Sequence, residues 1–335
     1  MTKSLKIKRF ITRLAGCGVL ISLLVAAHLL GLIDFVPIYR TLVSHSQIVL
    51  ECLILAALSF SCVALRLAAL LKLINMPVSF SDALRITMLS QFSGTIFAGP
   101  IGAEATRFGM LVKRCEHRYT ELTTLLLFDR IFGLLGLVCI VFFMSFAAVK
   151  VSARIPYHHY IIAAGLLFSV ALATLFIIHK HLATKKKHAV KALIKSCSPH
   201  LYKLLSQLGR VFRTFRNIMS NPLTLLKLVG FSVLASLLPL FGFSEIIKIF
   251  LPNIFDFPSG ILILAITILF NSIGITPGGI GVGEGVFGLL GFLATGDSSL
   301  PYIETFLTIR LISIMCVLPG GLFLLQAAQP KTISS

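Results

Sequence analysis

The sequence predicts an all-α, polytopic membrane protein, and three observations carry that prediction. Of 335 residues, 57% are hydrophobic and only 13% charged, with a mean hydropathy of +0.97, well above the apolar share of a soluble domain. Apolar runs have helix length: Leu14 to Ile33 is twenty residues without a charged side chain, and Ile131 to Val149 and Tyr160 to Ile178 are nineteen each, which suits a hydrocarbon core of roughly 30 Å. No long period-two alternation occurs, so helices rather than a barrel must satisfy the backbone in lipid.

The elements follow in order as one membrane domain, 1–335. A basic start (Lys3, Lys6, Lys8, Arg9, Arg13) precedes a first span at 14–33, which is too long for a signal-peptide core and lacks a small-x-small site after it, so it is expected to be retained. The next span, 48–71, returns, ending at Arg66 and Lys72. Then 82–112 breaks the pattern: an apolar run, a glycine-containing interruption and a shorter apolar run. Spans at 121–149 and 158–179 follow. The segment 180–221 is a basic linker holding ten of the thirty Lys and Arg residues. Within it, 201–219 carries apolar residues at helical spacing opposite Lys203, Arg210, Arg213 and Arg216, an amphipathic helix expected to lie on anionic inner-leaflet lipid. A span at 223–250, a second interrupted stretch at 258–295 and a last span at 303–327 complete the chain. That makes about six full spans plus two re-entrant or broken hairpins.

Charge sets the expected orientation. The formal charge of +18 would suggest nucleic acid in a soluble protein, but here the basic residues concentrate before the first span, between Arg107 and Arg118, and in the linker. By the positive-inside rule these regions and both termini are cytoplasmic, and no nucleic-acid partner is expected. Lys150 and Arg154 fall on the wrong side, so the rule holds on balance. The seven cysteines form no C-x-x-C pair and argue for neither a disulfide framework nor a metal site.

The chain repeats itself. A shift of 180 residues pairs Ser79 with Ser259, Thr87 with Thr267, Gly94 with Gly274, Gly99 with Gly279, Glu104 with Glu284 and Arg130 with Arg310. There are ten identities across 79–130, against a chance expectation on the order of four. The units, 48–149 and 223–328, enter the membrane from opposite faces by the orientation above, so the repeat is inverted. Interrupted helices in corresponding positions of an inverted repeat point to a transporter's midplane site.

The candidate site residues follow. Glu104, Arg130, Glu284 and Arg310 lie at membrane depth, where each ionisable side chain costs about 2.5–3.5 kcal/mol if unpaired. Gly99, Gly279, Gly281 and Gly283 break the helices beside them, leaving half-helix N-termini that favour a phosphate or carboxylate. Two roles are open: the arginines grip a lipid phosphate with forked hydrogen bonds while the glutamates orient them, or each glutamate simply neutralises its arginine to fix the bundle. Asp129 is expected as a local partner of Arg130. Arg85 and Arg107 read as membrane-edge anchors that could serve a cavity mouth.

No paired carboxylates, metal cluster or nucleophile triad stands out, so neither catalysis nor a cofactor is expected. "GEGVFG" matches a dinucleotide motif in letters only, since no strand precedes it, and no Walker A sequence is present.

"FAGPIGAEATRFGML" with "LLLFDRIFGLLGL", and later "TPGGIGVGEGVFGLLG", resemble the paired signatures of the lysylphosphatidylglycerol synthase transmembrane region family of flippase-like membrane proteins. The resemblance implies movement of phospholipid or polyprenyl-linked head groups between leaflets of a bacterial or archaeal plasma membrane, the inner membrane in a Gram-negative cell. In two-domain members a soluble aminoacyl-transferase domain follows the helices; this sequence ends at Ser335, so no synthase activity is expected. A membrane-embedded transferase on lipid-linked substrates and an accessory subunit of a lipid or glycan synthesis complex are the alternatives.

Overall fold

The computed structural model describes residues 35–95, 99–112, 119–148, 221–272, 279 and 281–328, the side chains of 324–328 excepted. The expected spans 14–33 and 158–179 and the amphipathic segment 201–219 lie outside the described residues. All regular structure among the described residues is helical: α1 (Phe35–Ser44), α2 (Ser46–Leu73), α3 (Phe80–Ser93), α4 (Gly99–Leu111), α5 (Tyr119–Ala147), α6 (Pro222–Phe250), α7 (Phe257–Asn271), α8 (Val282–Thr295) and α9 (Tyr302–Ala328). Helix α1 is the element that sequence patterning did not anticipate.

Four of these, α2, α5, α6 and α9, are long and apolar enough to cross a membrane. At 1.5 Å per residue the 28 residues of α2 reach roughly 42 Å, more than a hydrocarbon core. The remaining α3, α4, α7 and α8 have 13 to 15 residues and cannot span alone. They occur as two consecutive pairs, each interrupted where the sequence places its glycines.

Local chemistry sets the helix ends. Ser79 starts α3 by accepting the Asp82 N–H at 3.1 Å, and Asn221 starts α6 by accepting from Leu223 and Thr224, with Pro222 at the first helical position, where its missing N–H costs nothing. Gly99, at φ +56, opens α4, while Gly279 and Gly281, at +71 and +85, precede α8; side-chain-bearing residues rarely hold such angles. The two residues that the 180-residue shift pairs, Gly99 and Gly279, thus share an unusual backbone conformation.

The α2–α6 contact shows how polar backbone is handled at depth. Pro239 interrupts α6 and cannot donate to the carbonyl four residues earlier. That carbonyl, Ala235 O, accepts Ser59 Oγ of α2 at 2.6 Å, so the proline leaves no unsatisfied acceptor there. Nearby, Gly242 lies against the Cα of Cys52, allowing close helix approach. The same device recurs where Gly136 of α5 meets the Ser232 backbone of α6 and where Gly320 of α9 meets the Met88 backbone of α3.

Two apolar clusters result. One joins the first part of α2 and the end of α5 to α6, α7, α8 and α9; the other gathers the end of α2, α3, the end of α4, the start of α5 and the start of α6. Along α2 and α6 the boundary between them is polar, marked by Arg66 and Ser232.

Candidate functional site

The first interruption is built around a fully buried carboxylate. Asp129, on α5, accepts Arg66 Nε from α2 at 2.7 Å through Oδ1 and Arg107 Nη1 from α4 at 2.6 Å through Oδ2. Both arginines are 5% exposed and the aspartate 0%. Each guanidinium takes a second partner: Arg66 Nη1 donates to Ser232 Oγ of α6 at 2.9 Å, and Arg107 Nε to Ser90 Oγ of α3 at 3.0 Å. Those hydroxyls donate onward to the Leu228 and Thr87 carbonyls. One carboxylate thus ties five helices together through charge-assisted hydrogen bonds, which are shorter and stronger than neutral ones. Gly133, one turn along α5, lies against the Arg66 guanidinium.

This corrects the sequence reading at three points. Asp129 is not the partner of its neighbour Arg130, because successive helical residues point in different directions and Asp129 faces α2 and α4. Arg107 is not a membrane-edge anchor, and Arg66 is not the polar end of a span; both are interior. An arginine inside an otherwise apolar helix was the available signal for Arg66. It was masked by Lys72, which ends the helix and drew Arg66 into the same basic flank. Ser90 and Ser232 carried no pattern that sequence reading could use.

Glu104 and Arg130 form no ion pair. Glu104 Oε1 lies 3.6 Å from Arg107 Nη1, too far for a hydrogen bond, and Oε2 is buried without a hydrogen-bond partner. Arg130, half-buried, reaches the other interruption instead, where its Nη2 donates to the Ser272 carbonyl at the end of α7 at 3.0 Å. A helix C-terminus leaves carbonyls unpaired, so it is a natural acceptor for a cation.

The second interruption is closed on itself. Glu284, in the first turn of α8, meets Arg310 of α9 at 2.6 Å (Oε1 to Nε) and 3.1 Å (Oε2 to Nη2). Its Oε2 also accepts the Gly281 N–H at 2.8 Å. That is half of a capping box, since glycine has no side chain to return the bond. Arg310 Nη2 donates further to the Gly279 carbonyl at 2.9 Å and its guanidinium stacks over Phe306 at 5.6 Å. Gly283 is required for the approach: a Cβ there would strike Phe306 and crowd Arg310.

The two interruptions are continuous. Ser272, which receives Arg130, follows Asn271, whose amide packs where a side chain on Gly279 would stand; Gly279 in turn receives Arg310. Of the eight sequence-predicted residues, Arg130, Gly279, Gly281, Gly283, Glu284 and Arg310 therefore line one seam. Glu104 stands instead beside Arg107 in the Asp129 cluster, 3.6 Å away, and Gly99 opens α4. A cavity of about 410 Å³ lies elsewhere, between α1 and the end of α6, lined among others by Arg40, Thr41 and His45, and holds none of these residues.

Helices long enough to span, paired half-helices and buried guanidinium–carboxylate clusters define a polytopic helical membrane protein. Residues 18–321 match the family described as lysylphosphatidylglycerol synthase TM region. The chain belongs to that family, whose members are membrane proteins of lipid modification or transport. None of the curated proteins matches the chain.

Proposed function

We propose that the chain is a flippase-like transporter moving phospholipid or lipid-linked head groups between leaflets of a prokaryotic plasma membrane, without bound ATP and without catalytic turnover. The observation that carries this reading is the Arg130 hydrogen bond to Ser272. It ties α5, whose Asp129 holds Arg107 of one interrupted helix pair, to the backbone of the other pair, so both breaks border one polar seam. Such a seam suits a charged head group, because cations and unpaired backbone at depth need a polar partner.

The inverted repeat belongs to this proposal. Shifted by 180, α3, α4 and α5 fall within four residues of α7, α8 and α9 at every boundary, and the positive-φ Gly99 falls on the positive-φ Gly279. With the basic regions inside, the halves enter from opposite faces, the arrangement used for alternating access. Amphipathic 201–219 would rest on anionic inner-leaflet lipid, and both termini would be cytoplasmic.

The test is reconstitution into phosphatidylcholine vesicles containing a head-group-labelled phosphatidylglycerol, with leaflet exchange followed by quenching from outside. Wild-type protein should exceed empty vesicles, and Arg130→Ala should fall to their level while staying monodisperse. Equal rates for wild type and empty vesicles would remove the transport reading; equal rates for wild type and variant would remove Arg130 from it.

A further inference from the structure

The two halves share a plan but not a charge content, and the difference falls at three interior positions. Arg66, Arg107 and Asp129 of the first half stand, at the 180-residue shift, opposite Ile246, Phe287 and Ile309. All three counterparts are buried apolar core residues, at 0%, 0% and 3% exposure. The architecture therefore seats a half-helix against its long neighbours with apolar side chains at these three places, and the charged version has another consequence.

That consequence is seen in what each glutamate does. In the second half Phe287 occupies the place one turn beyond Glu284, and Glu284 closes on Arg310 with both oxygens. In the first half Arg107 occupies that place, held by Asp129 and Ser90. Its Nη1 stands 3.6 Å from Glu104 Oε1, an ion pair that Glu104 does not make with Arg130. Arg130 is thereby relieved of its counter-ion: one nitrogen donates to Ser272, and Nη1 and Nε make no hydrogen bond among the described residues. The first-half cluster carries three guanidiniums against two carboxylates; the second carries one of each.

Resting on the transport reading, we propose that Arg130 is the residue that binds the substrate's phosphate. On this reading Asp129, by bridging Arg66 and Arg107, is the positioning residue that keeps Glu104 from neutralising Arg130, and Arg310 serves as a structural partner of Glu284. The ligand class is a phosphodiester or phosphomonoester oxyanion, which matches the planar fork of a half-buried guanidinium with two unused donors.

Binding in detergent tests this apart from transport. Native mass spectrometry of the purified full chain would follow dihexanoyl-phosphatidylglycerol, with uncharged dihexanoylglycerol as control and inorganic phosphate to separate a lipid head group from free phosphate. Arg130→Gln should weaken phosphate-bearing ligands about tenfold, the loss of roughly one charge-assisted hydrogen bond, and clearly more than Arg310→Gln does. The apolar triad variant Arg66→Met, Arg107→Met, Asp129→Leu should keep or raise Tm, since buried ionic triads are replaceable by apolar residues. It should bind about tenfold more weakly, because Glu104 then closes on Arg130. Adding Glu104→Gln to that variant should restore binding, which a merely structural triad would not do.

If the triad variant does not fold, Glu104→Gln alone decides, and tighter binding than wild type is expected. Equal loss in Arg130→Gln and Arg310→Gln, wild-type affinity in a folded triad variant, or unchanged or weaker binding in Glu104→Gln overturns the proposal. If binding follows these expectations in a protein that gives no leaflet exchange, the site stands and the transport reading falls.

Discussion

Glu284→Ala is the perturbation whose size the structure sets most fully. The substitution removes the counter-ion of a guanidinium whose side chain is only 13% exposed, together with the acceptor for the Gly281 N–H at the start of α8. Breaking a buried pair from one side costs about 3–5 kcal/mol, and loss of the N-terminal acceptor adds about 1 kcal/mol. For a chain of this size, with a shift of about 2 °C or less per kcal/mol, Tm should fall by roughly 5–10 °C. Arg310→Ala should cost less, because the remaining carboxylate keeps the Gly281 N–H and the favourable end of the α8 dipole. The double variant should then lie closer to wild type than the sum of the singles by about 2 kcal/mol. Because the chain has no tryptophan, the assay is thermal loss of monodisperse protein in detergent. Single-variant losses that add in the double variant to within about 0.5 kcal/mol would refute the view that this pair holds the second interruption.

Glycine substitutions separate backbone strain from crowding. Gly281→Ala meets open space at φ +85 and should cost only about 1 kcal/mol, whereas Gly279→Ala at φ +71 also collides with the Asn271 amide and should cost clearly more, part of it recovered by Asn271→Ala, all read as Tm. Gly136→Ala, which drives a methyl into the Ser232 backbone 2.5 Å away, should lower Tm sharply, and Gly230→Ala, with nothing within 4 Å, should leave it level or raised. In the loop after α8, hydrogen bonds from the Ser299 hydroxyl and N–H hold the exposed Asp297 carboxyl below the usual aspartate range. A depressed folded value contributes stability that is complete above the unfolded value and is lost as pH falls through the folded one. Ser299→Ala should therefore move the Asp297 titration, followed by carboxyl NMR, upward toward the ordinary value.

Sequence reading reached the spans because their signal is summed over many residues. The boundaries expected at 48–71, 121–149, 223–250 and 303–327 lie within two residues of α2, α5, α6 and α9. The interruptions were legible for the same reason that they exist: clustered glycines at lipid depth have no role in a continuous helix. The ion-pair partners were not legible. Glu284 with Arg310 was expected because one repeat unit contains both, but the same logic applied to Glu104 and Arg130 failed, since Arg107, Arg66 and Asp129 have no charged counterparts in the second unit. Partner choice among buried charges depends on which helix faces which, and that is set by close crossings such as Gly136 on Ser232, which no linear pattern encodes.

The unequal halves bear on why the charges are there at all. Moving two guanidiniums and a carboxylate into the interior costs several kcal/mol per ion, repaid only when geometry and hydrogen bonding are good, and apolar side chains of similar volume usually serve stability as well or better. The second half is the internal control, because Ile246, Phe287 and Ile309 occupy the equivalent places and are as buried as the triad. A fold that has the apolar solution in one half and retains the ionic one in the other is not using those ions merely to hold helices together. What the ionic solution adds is direction. Each bond from Asp129 fixes a guanidinium plane, and each guanidinium fixes a further helix through Ser232 or Ser90, so α4 is held in rotation as well as in distance. Since Glu104 lies on α4 three residues before Arg107, fixing that rotation fixes where its carboxylate can reach. Apolar packing around Phe287 places no comparable constraint on α8, whose glutamate is oriented by Arg310 and Gly281 instead.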